Sequence, residues 1–175
     1  MPCDISLGRV EPCKTSSGGL KAVYFVNWAD ATGYTYDSTN TDAITAVAGT
    51  PTGYKYELKG NSSFEQTINS SRENGTTFFE QTLNITLKKL SASDHKQVKL
   101  LSYGRPQVVV EDMNGNFFYA GLQNGMEVSG GTIVTGAAMG DLSGYTLVLT
   151  GQEPLPANFI TTSLTTAGFT IVSGS

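Results

Sequence analysis

The sequence predicts a mainly β protein, a β-sandwich or barrel-like fold with one short α-helix around residues 92–103, and three observations predict it. Charged residues make up only 15% of the 175-residue chain, and 20 glycines sit among many Thr, Ser and Asn residues, a composition suited to short strands and turns. Two long segments flank Ser71-Arg72-Glu73-Asn74-Gly75 and alternate with period two. After the turn, Thr77, Phe79, Gln81, Leu83, Ile85 and Leu87 form the apolar series against Phe78, Glu80, Thr82, Asn84, Thr86 and Lys88; before it, Phe64, Gln66, Ile68 and Ser70 alternate with Glu65, Thr67, Asn69 and Ser71. Asn74-Gly75 suits the positive φ of a type I′ turn, so the pair reads as a long hairpin. The third observation is a series of further short alternating runs separated by Gly, Asn and Pro.

The remaining elements follow in chain order. Residues 1–19 are polar and turn-rich and read as an arm. Leu20 to Trp28 is a strand apolar on both faces, with Trp28 as its largest expected anchor. Residues 29–53 read as a long loop holding short strands at Tyr34–Tyr36 and Ile44–Val47. Tyr54–Lys59 is a strand that breaks at Gly60-Asn61 and leads into the hairpin. Ser91-Ala92-Ser93-Asp94 supplies a helix N-cap with an acid three residues on, and the helix runs from Ala92 to Tyr103 with Val98 and Leu101 as its core stripe. Gly104 and Pro106 end it. Val108-Val109-Val110 is a buried strand, turned at Asn114-Gly115 into Phe117–Ala120. Met126–Val128 and Thr132–Val134 read as a hairpin around Gly130-Gly131. Gly144–Gly151 is a strand with Tyr145, Leu147 and Leu149 on one face. Residues 161–175 read either as an arm or, through Phe169–Val172, as a last strand. No linker or repeat divides the chain, so 1–175 is one domain.

Bulk properties exclude several classes. The formal net charge of −4, with no basic run, disfavours a nucleic-acid binder that works by neutralising phosphates. No run of 18 apolar residues predicts a membrane span, and the first residues lack the pattern of a secretory signal. Cys3 and Cys13 then read as thiols of a protein made in a reducing cytoplasm. Asn61, Asn69, Asn74 and Asn84 begin Asn-x-Ser/Thr triplets, which a chain this rich in those residues generates by chance.

Catalytic chemistry finds no support. His95 is the one histidine, and neither Asp94 beside it nor the nearby serines make a nucleophilic triad without a Gly-x-Ser-x-Gly elbow. Glu111-Asp112 ends a strand ahead of a turn, where Asp makes local Asx bonds, and has no second acid pair at matched spacing. The glycine-rich pieces match neither dinucleotide nor nucleoside-triphosphate loops. The sequence therefore calls for no catalytic residue, no metal and no cofactor. Tyr24, Phe25, Trp28, Tyr34, Tyr36, Tyr54 and Tyr56 fall mostly at alternating strand positions and are expected in the core.

A long two-faced hairpin poses a problem of edges, because its unpaired N–H and C=O groups template pairing with another chain. Closing neighbouring copies into a ring removes the edges. One sheet face would then line a lumen, with Glu65, Thr67, Asn69, Glu80, Thr82, Asn84 and Thr86 as candidate residues, and an acidic-to-neutral wall would let DNA pass without sticking. Phe64, Ile68, Phe79, Leu83, Ile85 and Leu87 are the matching candidates for the core or assembly face.

The order of strands, long hairpin (Phe64–Leu87), short capped helix (Ala92–Tyr103) and strand pairs ending in Gly144–Gly151 resembles the tail tube proteins of tailed bacteriophages and the related tubes of contractile injection systems. Asn74–Leu83 and Met139–Tyr145 are similar to segments of phage virion proteins, and the resemblance covers roughly residues 54–160. It implies a structural virion protein, not an enzyme, that self-assembles into stacked hexameric rings forming a hollow conduit for DNA. The implied partners are copies of itself, other virion tail proteins and passing DNA without specific binding, with no membrane. The implied location is the virion tail, assembled in the bacterial host cytoplasm, with residues 1–19 and 29–53 touching neighbouring rings. Two alternatives stand beside it: another virion component (head–tail adaptor, neck or decoration protein), and a β-sandwich ligand-binding module.

Overall fold

The computed structural model describes residues 3–174 and arranges them as two sheets. β1 (Leu20–Val26) and β7 (Gln107–Asp112) are the central strands of the larger sheet. Both are buried almost throughout, β1 by a mainly apolar run and β7 by Val108-Val109-Val110 with the polar Gln107 and Glu111 buried at its ends. Around them lie β4 (Thr52–Glu57), β8 (Phe117–Ala120), β11 (Asn158–Ile160), β3 (Ala43–Gly49), β2 (Ala31–Tyr36) and β12 (Thr170–Ser173), in the order β12-β4-β1-β7-β8-β11-β3-β2. The second sheet has the order β5-β6-β10-β9, from β5 (Ser63–Ser71), β6 (Thr76–Lys88), β9 (Glu127–Val134) and β10 (Gly144–Glu153), all antiparallel.

Chain connectivity forces the larger sheet to curl. β3 ends at Gly49 and β4 begins at Thr52, so their ends lie within about 11 Å of each other. The two strands stand five places apart in the sheet, roughly 24 Å if it were flat. A second core fills the curl, with Tyr24 and Val26 of β1, Ile44 and Val47 of β3, Val109 and Tyr119. Leu164 and Ala167 of the short helix α2 (Leu164–Ala167), and Phe169 after it, complete that core. Between the two sheets lies the first core: Val23, Phe25, Val108 and Val110 against Leu83, Ile85, Tyr145, Leu147 and Leu149. The mainly β, sandwich-like class is as the sequence predicted.

The helix α1 (Ala92–Tyr103) forms where its cap was read. Ser91 Oγ accepts the Asp94 N–H at 3.1 Å and donates to the Asp94 carboxylate at 2.7 Å. Val98 enters the first core and Leu101 packs beside it, while Leu100 and Tyr103 stay exposed. Gly104 caps the helix from extended backbone, so its freedom to adopt positive φ is not what stops the helix.

Several expectations are corrected. Residues 29–53 are not a long loop: β2 and β3 pair there as an antiparallel hairpin, covering both short strands the sequence suggested. Of the two readings of residues 161–175, the last strand holds and the arm does not: Leu164 and Ala167 of α2 are buried and β12 pairs with β4 in parallel. Ser175, like Met1 and Pro2 of the expected N-terminal arm, lies outside the described residues. The turn expected at Gly130-Gly131 is the interior of one continuous strand, β9, with a shift in pairing register beside it. Gly131 takes φ +156, and a Cβ there would stand 2.3 Å from the Thr146 carbonyl oxygen. Trp28 is no core anchor: it is 39% exposed, with the Arg105 guanidinium 3.7 Å above its ring. Tyr36 and Tyr54 are likewise exposed, whereas Tyr24 and Phe25 are buried as expected. Residues 3–18 are irregular and exposed, with Ser17 tied to Asn114 by two hydrogen bonds. No helix among the described residues is long and apolar enough to cross a membrane.

Candidate assembly surface

The hairpin β5–β6 is in the register its pattern implies, with Phe64 opposite Leu83, Glu65 opposite Thr82, Thr67 opposite Glu80 and Ile68 opposite Phe79. Ser71 pairs with Thr76, so the loop is the four residues Arg72 to Gly75 rather than a two-residue type I′ turn. Only Gly75 of these takes positive φ (+65), which fits a four-residue hairpin loop ending in a left-handed glycine.

All seven candidate lumen residues lie on one face of the four-stranded sheet. Glu65, Thr67 and Asn69 sit on β5, directly paired with Thr82, Glu80 and Phe78. Asn84 and Thr86 continue the row on β6. Glu65 and Thr67 are exposed and the other five half-buried, because neighbouring side chains on the same face cover part of each. The face also extends across β10 and β9, where Thr146, Val148 and Thr150 pair with Thr86, Asn84 and Thr82, and Thr132 pairs with Thr146. These residues went unremarked in the sequence, although the alternation that put Tyr145, Leu147 and Leu149 on the core face already implied them. The Thr132 and Thr146 hydroxyls are 2.7 Å apart and bond to each other. Glu65, Glu80 and Glu127 are the acids of this face. Both helices pack elsewhere, α1 through the first core and α2 through the second.

On the opposite face, Leu83 and Ile85 are fully buried, and Phe64, Phe79 and Leu87 are partly buried. Ile68 is a correction: it is 68% exposed. The reason is length. β10 ends its pairing with β6 at Glu153–Phe79, so the hairpin beyond that point has no sheet behind it. Ile68 and Phe78 stand exposed on this two-stranded projection, and the buried Asn69 Nδ2 has no hydrogen-bond partner. Within the four-stranded sheet, β5 and β9 are the edges, each with one side unpaired.

A cleft of about 250 Å³ opens where the projection leaves the body, lined among others by Tyr36, Asp42, Gln81, Glu153 and Leu155. Glu153 is buried and accepts N–H bonds from Gln123 and Asn124. Burial pushes its carboxyl up, and those two hydrogen bonds pull the other way. Sequence reasoning passed over Glu153 because Gln152-Glu153-Pro154 looks like an ordinary strand end.

The remaining polar candidates have local duties. His95 is exposed, its ring 6.3 Å from that of Tyr145. Glu111 accepts the Tyr24 hydroxyl at 3.1 Å and pairs with Lys21 at 3.6 Å. Asp112 makes the expected Asx bonds, accepting the N–H groups of Asn114 and Asn116. Among the described residues no group of three or more His, Cys, Asp or Glu side chains is placed to hold a metal. No family model, no curated protein and no solved structure matches this chain.

Proposed function

We propose that the protein is the subunit of a self-assembling hollow tube, the tail tube of a tailed bacteriophage, built of stacked hexameric rings through which DNA passes. One observation carries the reading: the four-stranded sheet has one face in the core, the other polar and uncovered, and both edges unpaired. Joining β5 of one copy to β9 of the next would satisfy both edges and set the polar faces side by side around a lumen. The wall so formed is rich in threonine with acids at Glu65, Glu80 and Glu127, a surface that repels or ignores a polyanion.

The test is direct imaging. Purified protein at rising concentration, followed by light scattering and negative-stain electron microscopy, is expected to give rings or tubes with a central hole. A strictly monomeric profile at every concentration, with no polymer in the images, overturns the proposal.

A further inference from the structure

The projecting hairpin tip and the Glu153 cleft have complementary chemistry. The tip presents two exposed apolar side chains, Ile68 and Phe78, on opposite faces of the hairpin. In its loop is the guanidinium of Arg72, which makes no ion pair among the described residues, beside the carboxylate of Glu73. The cleft presents the exposed carboxylate of Asp42, the buried carboxylate of Glu153 already bonded to two backbone N–H groups, no cation, and two exposed apolar walls, Tyr36 and Leu155. A two-stranded hairpin in water is marginal by itself, and this one leaves apolar surface and the amide nitrogen of Asn69 unsatisfied. Its exposed apolar side chains call for apolar surface, and the unpaired Arg72 calls for a carboxylate.

The tip cannot fill the cleft of its own chain. Gln81 lines the cleft and Thr76 starts the tip, five residues further along a regular strand, about 17 Å away. Both features lie at the same end of the molecule. In a closed barrel the strands tilt by roughly 35–45° from the axis, so an overhang of this length leans sideways over a neighbour.

We infer that the Arg72 tip of one copy seats in the Asp42–Glu153 cleft of the adjacent copy, a head-to-tail contact that repeats around a ring. The ring geometry rests on the tube reading; the contact itself does not.

Two experiments test it. Arg72→Asp and Asp42→Arg, each alone, are expected to raise the concentration at which assembly begins by roughly tenfold, as loss of a close charge pair does. Combined in one chain they restore it to within about threefold, since the pair is re-formed with signs exchanged. Singles without effect, or a double variant worse than either, overturn the contact while leaving the tube reading standing. The second experiment needs no tubes. An Arg72→Cys chain is mixed with an Asp42→Cys chain, both with Cys3→Ser and Cys13→Ser, under mild oxidation. Disulfide-linked heterodimers are expected; linkage of only like chains, or none, overturns the contact whatever the tube images show.

Discussion

Replacing Leu83 by Ala and, separately, its neighbour Asn84 by Ala tests the facing of β6, on which the assignment of lumen and core depends. Leu83 is fully buried, opposite Phe64 on one side and Leu149 on the other. Truncating such a leucine removes its transfer free energy and leaves a cavity, at a cost of about 2–5 kcal/mol. Asn84 is half-buried on the other face between Ser63 and Val148, and its side chain makes no hydrogen bond with the described residues. Its truncation costs about 0.5 kcal/mol or less. In urea, with a slope of about 1–3 kcal/mol per molar, the Leu83→Ala midpoint falls by roughly 1–3 M. The Asn84→Ala midpoint stays within about 0.5 M of the parent. Unfolding is followed by intrinsic fluorescence and circular dichroism on both variants. Equal shifts, or a larger shift for Asn84→Ala, would refute the two-faced reading and with it the lumen assignment.

Three further outcomes are expected. Gly131→Ala forces a Cβ against the Thr146 carbonyl oxygen, and thermal melts should show a loss of about 1–3 kcal/mol from strained backbone alone. Burial and the Glu111 carboxylate push the Tyr24 hydroxyl up to about 12, so the unfolded chain gives up this proton first. The group's contribution is intact below pH 10 and fades as pH climbs towards 12, and Tyr24→Phe should flatten stability over that window in urea titrations at stepped pH. Thr82→Lys, Asn84→Lys and Thr150→Lys together place three cations on the polar sheet face; co-sedimentation should then show salt-sensitive DNA retention by the assembled protein that the parent lacks.

Local signals were legible where the chain decides its own structure. Ser91 and Asp94 marked the helix start, and strict alternation from Thr77 to Leu87 gave β6 its facing, because burial of one face admits only one register. The signals failed where tertiary context decides. Gly130-Gly131 looked like a turn, yet glycine there lets β9 bulge against β10. Trp28 looked like an anchor by size alone, but it lies past the end of β1 and stacks under Arg105 instead. Ile68 fitted the apolar alternation, and nothing in the sequence says that β10 stops three residues short of where the hairpin turns round. The Glu153 cleft was invisible for a related reason: its walls come from five separate stretches of chain that the curl of the larger sheet brings together.

The composition of the uncovered face argues that it is selected to stay uncovered within the subunit. A strand needs β-branched side chains to hold its pleat, and the usual choices, valine and isoleucine, would make an open face adhesive. Threonine has the same branched shape with a hydroxyl in place of a methyl group. Where the central strands β6 and β10 pair on this face, Glu80, Thr82, Asn84, Thr86 and Lys88 stand opposite Gln152, Thr150, Val148, Thr146 and Gly144, with Val148 the one large apolar side chain among them. Lysine would blunt the edges and solubilise the face equally well, and β6 carries only Lys88, at the end furthest from the tip. A face kept β-branched, hydroxylated, acidic and almost without cations is poorly explained by solubility alone. Under the tube proposal it is what a wall requires if a polyanion is to slide past without being held.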